Sequence, residues 1–180
     1  MLVHANEKGF TLIEAMVAMV VLSIGILGVV IMQTRAVNAN ASAYCRTGAT
    51  GVGISVMETF QALPSADASL VQTHAAANLL PNTVTAAMAD PNIRRLNAAT
   101  LAAMPMLNNV YRVVGTVANP LVTPIVGAGG AASARAVSYQ IGWAVVDNAP
   151  TSSKTIRVYQ AWTTAMGGGT SQITTVKYNK

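Results

Sequence analysis

The chain has 180 residues, enough for one modest domain with an anchor and too few for a second independent catalytic domain. Hydrophobic residues make up 52% of it and charged residues only 9%, where ordinary soluble domains carry about 25% charge. The net charge of +5 is spread from Arg35 to Lys180 with only Arg94 and Arg95 adjacent, so disorder is excluded as the main reading and no basic stripe with interleaved aromatics marks a nucleic-acid surface.

The chain opens with a short polar stretch, "MLVHANEKG", and then turns apolar. From Phe10 to Met32 there are 23 residues, of which Glu14 alone is charged, and about 20 apolar residues suffice to cross a bilayer. Thirteen Phe, Leu, Ile or Val residues lie in that run. At roughly −0.3 to −0.6 kcal/mol each they outweigh one acid at about +3, and Glu14 sits near the end of the span where the penalty is smaller. Gly25 and Gly28 would weaken a helix in water, yet small residues let helices approach closely in a membrane. A conventional secretory signal has an apolar core of about 7 to 15 residues and a small-x-small cleavage site. Here "ANA" at 39–41 and "ASA" at 41–43 lie beyond a run that is too long, and the start pairs one lysine with one glutamate.

The arrangement "KG" then "FTLIE" resembles the class III signal of type IV pilins and pseudopilins: a polar leader ending in Gly9, an aromatic start at Phe10, and Glu14 five residues past the junction. The resemblance implies cleavage after Gly9 by a prepilin peptidase, N-methylation of Phe10, and an assembly role for Glu14. In that role the carboxylate of an incoming subunit meets the Phe10 ammonium of its predecessor. An unpaired acid and an unpaired amine are each costly in hydrocarbon, and pairing neutralises both. The resemblance also implies an inner-membrane prepilin with its head on the periplasmic side, later carried in a pilus at the cell surface. Its partners are then the peptidase, the membrane, and other minor and major pilins.

Beyond Met32 no proline occurs until Pro64, so one helix is predicted from Phe10 to about Ala62. Val52, Val56 and Phe60 recur every four residues, with Cys45, Ala49 and Met57 close to the same stripe, which calls for a globular head packed on that face. Gly48, Gly51 and Gly53 count against an unbroken helix. Cys45, the single cysteine, cannot form an internal disulfide and reads as a small apolar residue. "LSIGILG" followed by Gln33 and "SAYCRTGATGVGISVMETFQA" is similar to PilV-type minor pilins, a resemblance covering about the first 62 residues. The anchor lacks the proline that kinks many major pilins.

In the segment 63–109, "DPNIRRLNAATLAAM" reads as a helix with Asp90 as N-cap, Pro91 at the first position and Pro105 just after its end. Arg94 and Arg95 then fall in its first turns, where the helix dipole disfavours them, which makes them candidates for exposed contacts beside the simpler reading of a solvated face. His4 lies in the leader and His74 stands alone, so no metal site can be assembled; His74 reads as a loop or surface residue.

From residue 110 the period changes to two. "VSYQIGWAVV" sets Val137, Tyr139, Ile141, Trp143 and Val145 on one face, and "KTIRVYQAWTT" repeats the alternation with Ile156, Val158 and Trp162. "DNAPTSSK" between them reads as a turn, so a hairpin is predicted. "NVYRVVGTVA" and "SQITTVKYN" read as flanking strands, joined through "GAGGAAS" and "GGGT".

The predicted fold is α+β: a leader (1–9), an anchor helix (10–32), its amphipathic continuation (33–62), a helical and loop connection (63–109), and a four-stranded antiparallel sheet (110–180) packed on the helix. Catalysis is not expected. After the leader the acids are Glu14, Glu58, Asp67, Asp90 and Asp147, none of them close in sequence, and "GAGG" at 127–130 is no phosphate loop. No cofactor, metal or small-molecule substrate is implied. The resemblance implies a minor pilin placed near a pilus tip, priming or modifying assembly. An I-type minor pseudopilin of type II secretion shares the leader and anchor, and a pilus-borne DNA-binding or adhesive head is the alternative of another class.

Overall fold

The computed structural model describes residues 11–116, 120–125, 137–149, 151–164 and 167–178. A single helix, α1, spans Leu12–Ala62. The chain divides into two compact units, Met1–Ala41 and Ser42–Lys180.

In the first unit every described residue from Thr11 to Asn40 is exposed. Those from Leu12 to Met32 are overwhelmingly apolar, and α1 is the one helix among the described residues long and apolar enough to cross a membrane. Its hydroxyls are satisfied within the helix: Ser23 Oγ donates to Met19 O at 2.7 Å and Thr34 Oγ1 to Val30 O at 2.9 Å. Such back-bonding is what a hydroxyl on a lipid-facing helix requires.

The second unit begins within α1. Cys45, Ala49, Val52, Val56, Met57 and Phe60 are buried, a stripe at three- and four-residue spacing that packs on a C-terminal antiparallel sheet. The helix runs unbroken through Gly48, Gly51 and Gly53. A Cβ at Gly48 would lie 2.2 Å from the Tyr139 hydroxyl, and one at Gly53 1.9 Å from Gln160 Nε2. These two positions are therefore notches that admit sheet side chains, and the burial they permit offsets their poor helix propensity.

The sheet has six strands rather than the four that the sequence predicts. They are β1 (Arg94–Arg95), β2 (Tyr111–Gly115), β3 (Pro120–Pro124), β4 (Tyr139–Asn148), β5 (Ser153–Thr164) and β6 (Gly167–Tyr178). The main path is β2-β3-β4-β5-β6, all antiparallel, with β1 also on β4. The predicted strand "NVYRVVGTVA" holds only as far as Gly115, whose φ of 93° turns the chain. The chain then returns as β3, with Tyr111 opposite Pro124 and Gly115 opposite Pro120. Prolines at both ends hide β3 from sequence reading, because proline cannot donate to a ladder and is normally read as a strand breaker. The "GGGT" predicted as a connection is the start of β6, paired along β5 from Thr164↔Gly167 to Ser153↔Tyr178. The predicted β4–β5 hairpin is present, from Tyr139↔Trp162 to Asn148↔Ser153. The "GAGGAAS" connection lies outside the described residues.

The helix predicted over "DPNIRRLNAATLAAM" does not form as one element. Instead α2 spans Val84–Ala89, capped by the Thr83 hydroxyl, and Asp90 is its C-cap rather than an N-cap. Asp90 precedes Pro91, and the residue before a proline is pushed out of the helical region; its ψ is 123°. The next helix, α3 (Ala98–Ala102), starts only at Asn97, which forms a capping box with Thr100. Pro105 follows the end of α3 closely, as expected, and also opens α4 (Pro105–Asn108), since the first helical position needs no N–H.

Both faces of the sheet centre are covered. Tyr139, Ile141, Trp143 and Val145 of β4 and Ile156, Val158 and Trp162 of β5 face α1. Ala144, Val146 and Tyr159 face a second cluster made by Leu80, Val84, Ala87 and Ile93 from the connection. Phe60 and Trp143 meet with ring centroids 5.1 Å apart, and the Trp143 indole donates to Ser69 O at 2.9 Å.

Candidate functional site: the N-terminal helix

Glu14 stands in the first turn of α1, where the helix dipole favours a negative charge. Its backbone N–H bonds to Thr11 O at 3.1 Å and to Thr11 Oγ1 at 3.3 Å, so Thr11 serves the helix start. The side chain is exposed, and no cation pairs with it among the described residues. Gly9 and Phe10, the predicted processing residues, lie outside the described residues.

Arg94 and Arg95, predicted in a helix as candidates for exposed contacts, instead make up β1, opposite Trp143 and Gly142. Both are half-buried. The Arg94 guanidinium donates to Ala68 O and that of Arg95 to Met88 O. Each charge thus ties its strand to a neighbouring loop or helix end.

His74 lies in a loop, as expected, but is buried rather than at the surface, at 9% exposure. Its Nε2 lies 3.0 Å from Asp90 Oδ2 and its Nδ1 2.9 Å from Thr73 Oγ1. Thr73 in turn continues the edge of β4: its N–H donates to Val145 O at 2.8 Å, and its hydroxyl accepts from Val145 N at 2.9 Å. The bond to His74, then the Asn92 backbone N–H, holds the Asp90 carboxyl below its ordinary range. Hydroxyl, imidazole and carboxylate line up, but the imidazole is enclosed and the hydroxyl is committed to the β4 backbone, so the arrangement clips the connection to the sheet. Sequence reasoning missed it because Asp90 is 16 residues from His74.

At the end of α1, Lys177 Nζ donates to Phe60 O at 3.1 Å and Gln61 O at 2.7 Å, meeting the open carbonyls of the last turn. Burial lowers its pKa. A cavity of about 760 Å³ beside it is lined by Gln61, Leu63, Pro64, Ser65, Tyr178 and neighbours, with no acid or histidine among them. Among the described residues no three His, Cys, Asp or Glu side chains cluster to hold a metal ion.

The prokaryotic N-terminal methylation motif matches residues 4–30. Comparison with curated proteins and with solved structures returned no match. The matched segment spans the predicted processing junction, Glu14 and most of the apolar run. It supports a prepilin-type signal, and with it a structural pilin or pseudopilin anchored by an apolar N-terminal helix.

Proposed function

We propose that this chain is a PilV-type minor pilin, made as an inner-membrane prepilin with its head on the periplasmic side and carried into a type IV pilus near the tip. The observation that supports this best is the methylation motif over residues 4–30 on a helix whose exposed residues from Leu12 to Met32 include Glu14 as the one charge. The prepilin peptidase cuts after Gly9, and the new N-terminus at Phe10 is methylated. The Phe10 ammonium of one subunit then receives Glu14 of the next, which fixes the axial register because either charge alone is costly in an apolar filament core. The apolar run anchors the subunit before assembly and packs among other pilin helices afterwards. The unbroken "LSIGILG" to "METFQA" stretch, without a kinking proline, favours a minor subunit.

Mass spectrometry of the chain recovered from membranes tests this reading. The expected product begins at N-methylated Phe10, and a Gly9 variant with a bulky side chain stays uncut. A mature start at Ser42 or Tyr44 would mark conventional signal cleavage and overturn the proposal. Processing at Phe10 with recovery in a secretion complex and not in pili would move the chain to the pseudopilins.

A further inference from the structure

We propose that α1 has a second, kinked state in which the side-chain amide of Gln160 inserts into the helix ladder between Ala49 and Gly53. Gln160 belongs to β5 and is fully buried, and neither its Nε2 nor its Oε1 has a hydrogen-bond partner among the described residues. A buried amide with both ends open is rare, because it gives up bonds to water and replaces neither. This one is aimed at a position where α1 has no side chain: a Cβ at Gly53 would fall on Gln160 Nε2. Ala49 and Gly53 are both buried on the face of α1 that meets the sheet, and in an α-helix the N–H of residue 53 bonds to the carbonyl of residue 49. A primary amide carries a donor and an acceptor side by side, which complements one opened rung of the ladder. In the kinked state Gly53 N–H donates to Gln160 Oε1, and Gln160 Nε2 donates to Ala49 O. One backbone bond is lost and two are made, and both orphaned amide atoms gain a partner.

The ladder on either side of this rung is weak. Gly48, Gly51 and Gly53 fall close together in α1, and glycine is a poor helix former. Thr50 Oγ1 donates to Arg46 O and Ser55 Oγ to Gly51 O, each at 3.0 Å, and hydroxyls bonded back in this way bend helices. A side chain inserted into the ladder is a recognised cause of a sharp kink. Cys45 reports the change, because it is the first buried residue of α1 and lies one turn before Ala49. With the Gln160 amide wedged under the next turn, the Cys45 turn lifts off the sheet. The device does not depend on the pilin reading.

Cys45 is the single cysteine, so its rate of reaction with a thiol reagent, in the folded full chain in detergent micelles, tests the proposal. The expected result is a labelling phase that urea below the unfolding transition leaves unchanged, since a local kink exposes far less surface than global unfolding. Gln160→Met keeps the shape without the amide. It should slow labelling in the absence of urea by about tenfold or more, the loss expected for two hydrogen bonds, and leave only the steeply urea-dependent route. The urea dependence separates the two routes, so a gain in global stability does not mimic the loss of the kink. Cys45 labelling that follows global unfolding at every urea concentration, or a urea-independent phase that survives Gln160→Met, would overturn the proposal. Should Gln160→Met lose its fold, NMR exchange measurements on the unaltered chain decide. The Gly53 backbone amide and the Gln160 side-chain amide should then exchange between two states at one shared rate, and the absence of exchange at either would overturn it.

Discussion

Three residues show how closely the helix and sheet are fitted. Gly53 leaves the space that the Gln160 side chain fills, and a Cβ there would also come within 2.7 Å of Ile173 Cδ1. Gly53→Ala should therefore cost about 1–3 kcal/mol through overpacking. At Gly51 an added Cβ meets nothing within 4 Å, so Gly51→Ala should stabilise by up to about 1 kcal/mol through helix propensity alone. Urea denaturation of the two variants measures the contrast. Gln160 itself is fully buried, with neither amide atom partnered among the described residues. Gln160→Met keeps the shape and removes an unsatisfied polar group, and a gain of about 1–3 kcal/mol is expected in the same assay. Asp90 adds a pH dependence. Its folded pKa lies below the unfolded value near 3.8, so its contribution is fully present above that value and is lost as pH falls through the lower folded one. Asp90→Asn should flatten the acid limb of a stability–pH curve, a change that acid titration followed by tryptophan fluorescence would detect.

At the level of elements, α1 is held at its C-terminal end by a residue 116 positions away, the ammonium of Lys177 on Gln61 O. Lys177→Met keeps the stem packed and removes the donor, leaving two carbonyls of the last turn without it. Bonds from a charged donor are worth about 1.5–3 kcal/mol each at most, so a loss of about 1–3 kcal/mol is expected. Hydrogen exchange should show faster opening at Phe60 to Leu63 and little change near Val52. The hairpin of β4 and β5 is legible in the sequence because alternation of Tyr139, Ile141, Trp143 and Val145 is a local signal. The segment 63–109 is not legible in the same way. Its short pieces are arranged against β4 and β5 by Leu80, Val84, Ala87 and Ile93, and no local period records that arrangement. β1 has two residues, too few for any alternation to show, and exists because β4 offers it an edge.

For the whole molecule, the decisive variant is Glu14→Ala. It removes the one charge from an apolar run that already favours insertion, so fractionation should still find the chain in the membrane. If Glu14 pairs with the Phe10 ammonium as proposed, pili or secretion assemblies should form poorly, as counted by electron microscopy or shear recovery, because that ammonium then lacks its partner. Normal assembly in this variant would argue against the pairing role.

The sequence by itself determined the N-terminal motif, the anchor, the amphipathic stripe from Cys45 to Phe60 and the hairpin of β4 and β5. Each of these is a linear signal or a local period, written in residues a few positions apart. Tertiary structure alone decided the six-stranded sheet, the burial of His74 against Asp90, the half-buried posts of Arg94 and Arg95, and the Lys177 cap on α1. In each of these the partner is distant in the chain, or the strand is too short or too rich in proline to announce itself, so the choice falls to packing and to the satisfaction of buried polar groups.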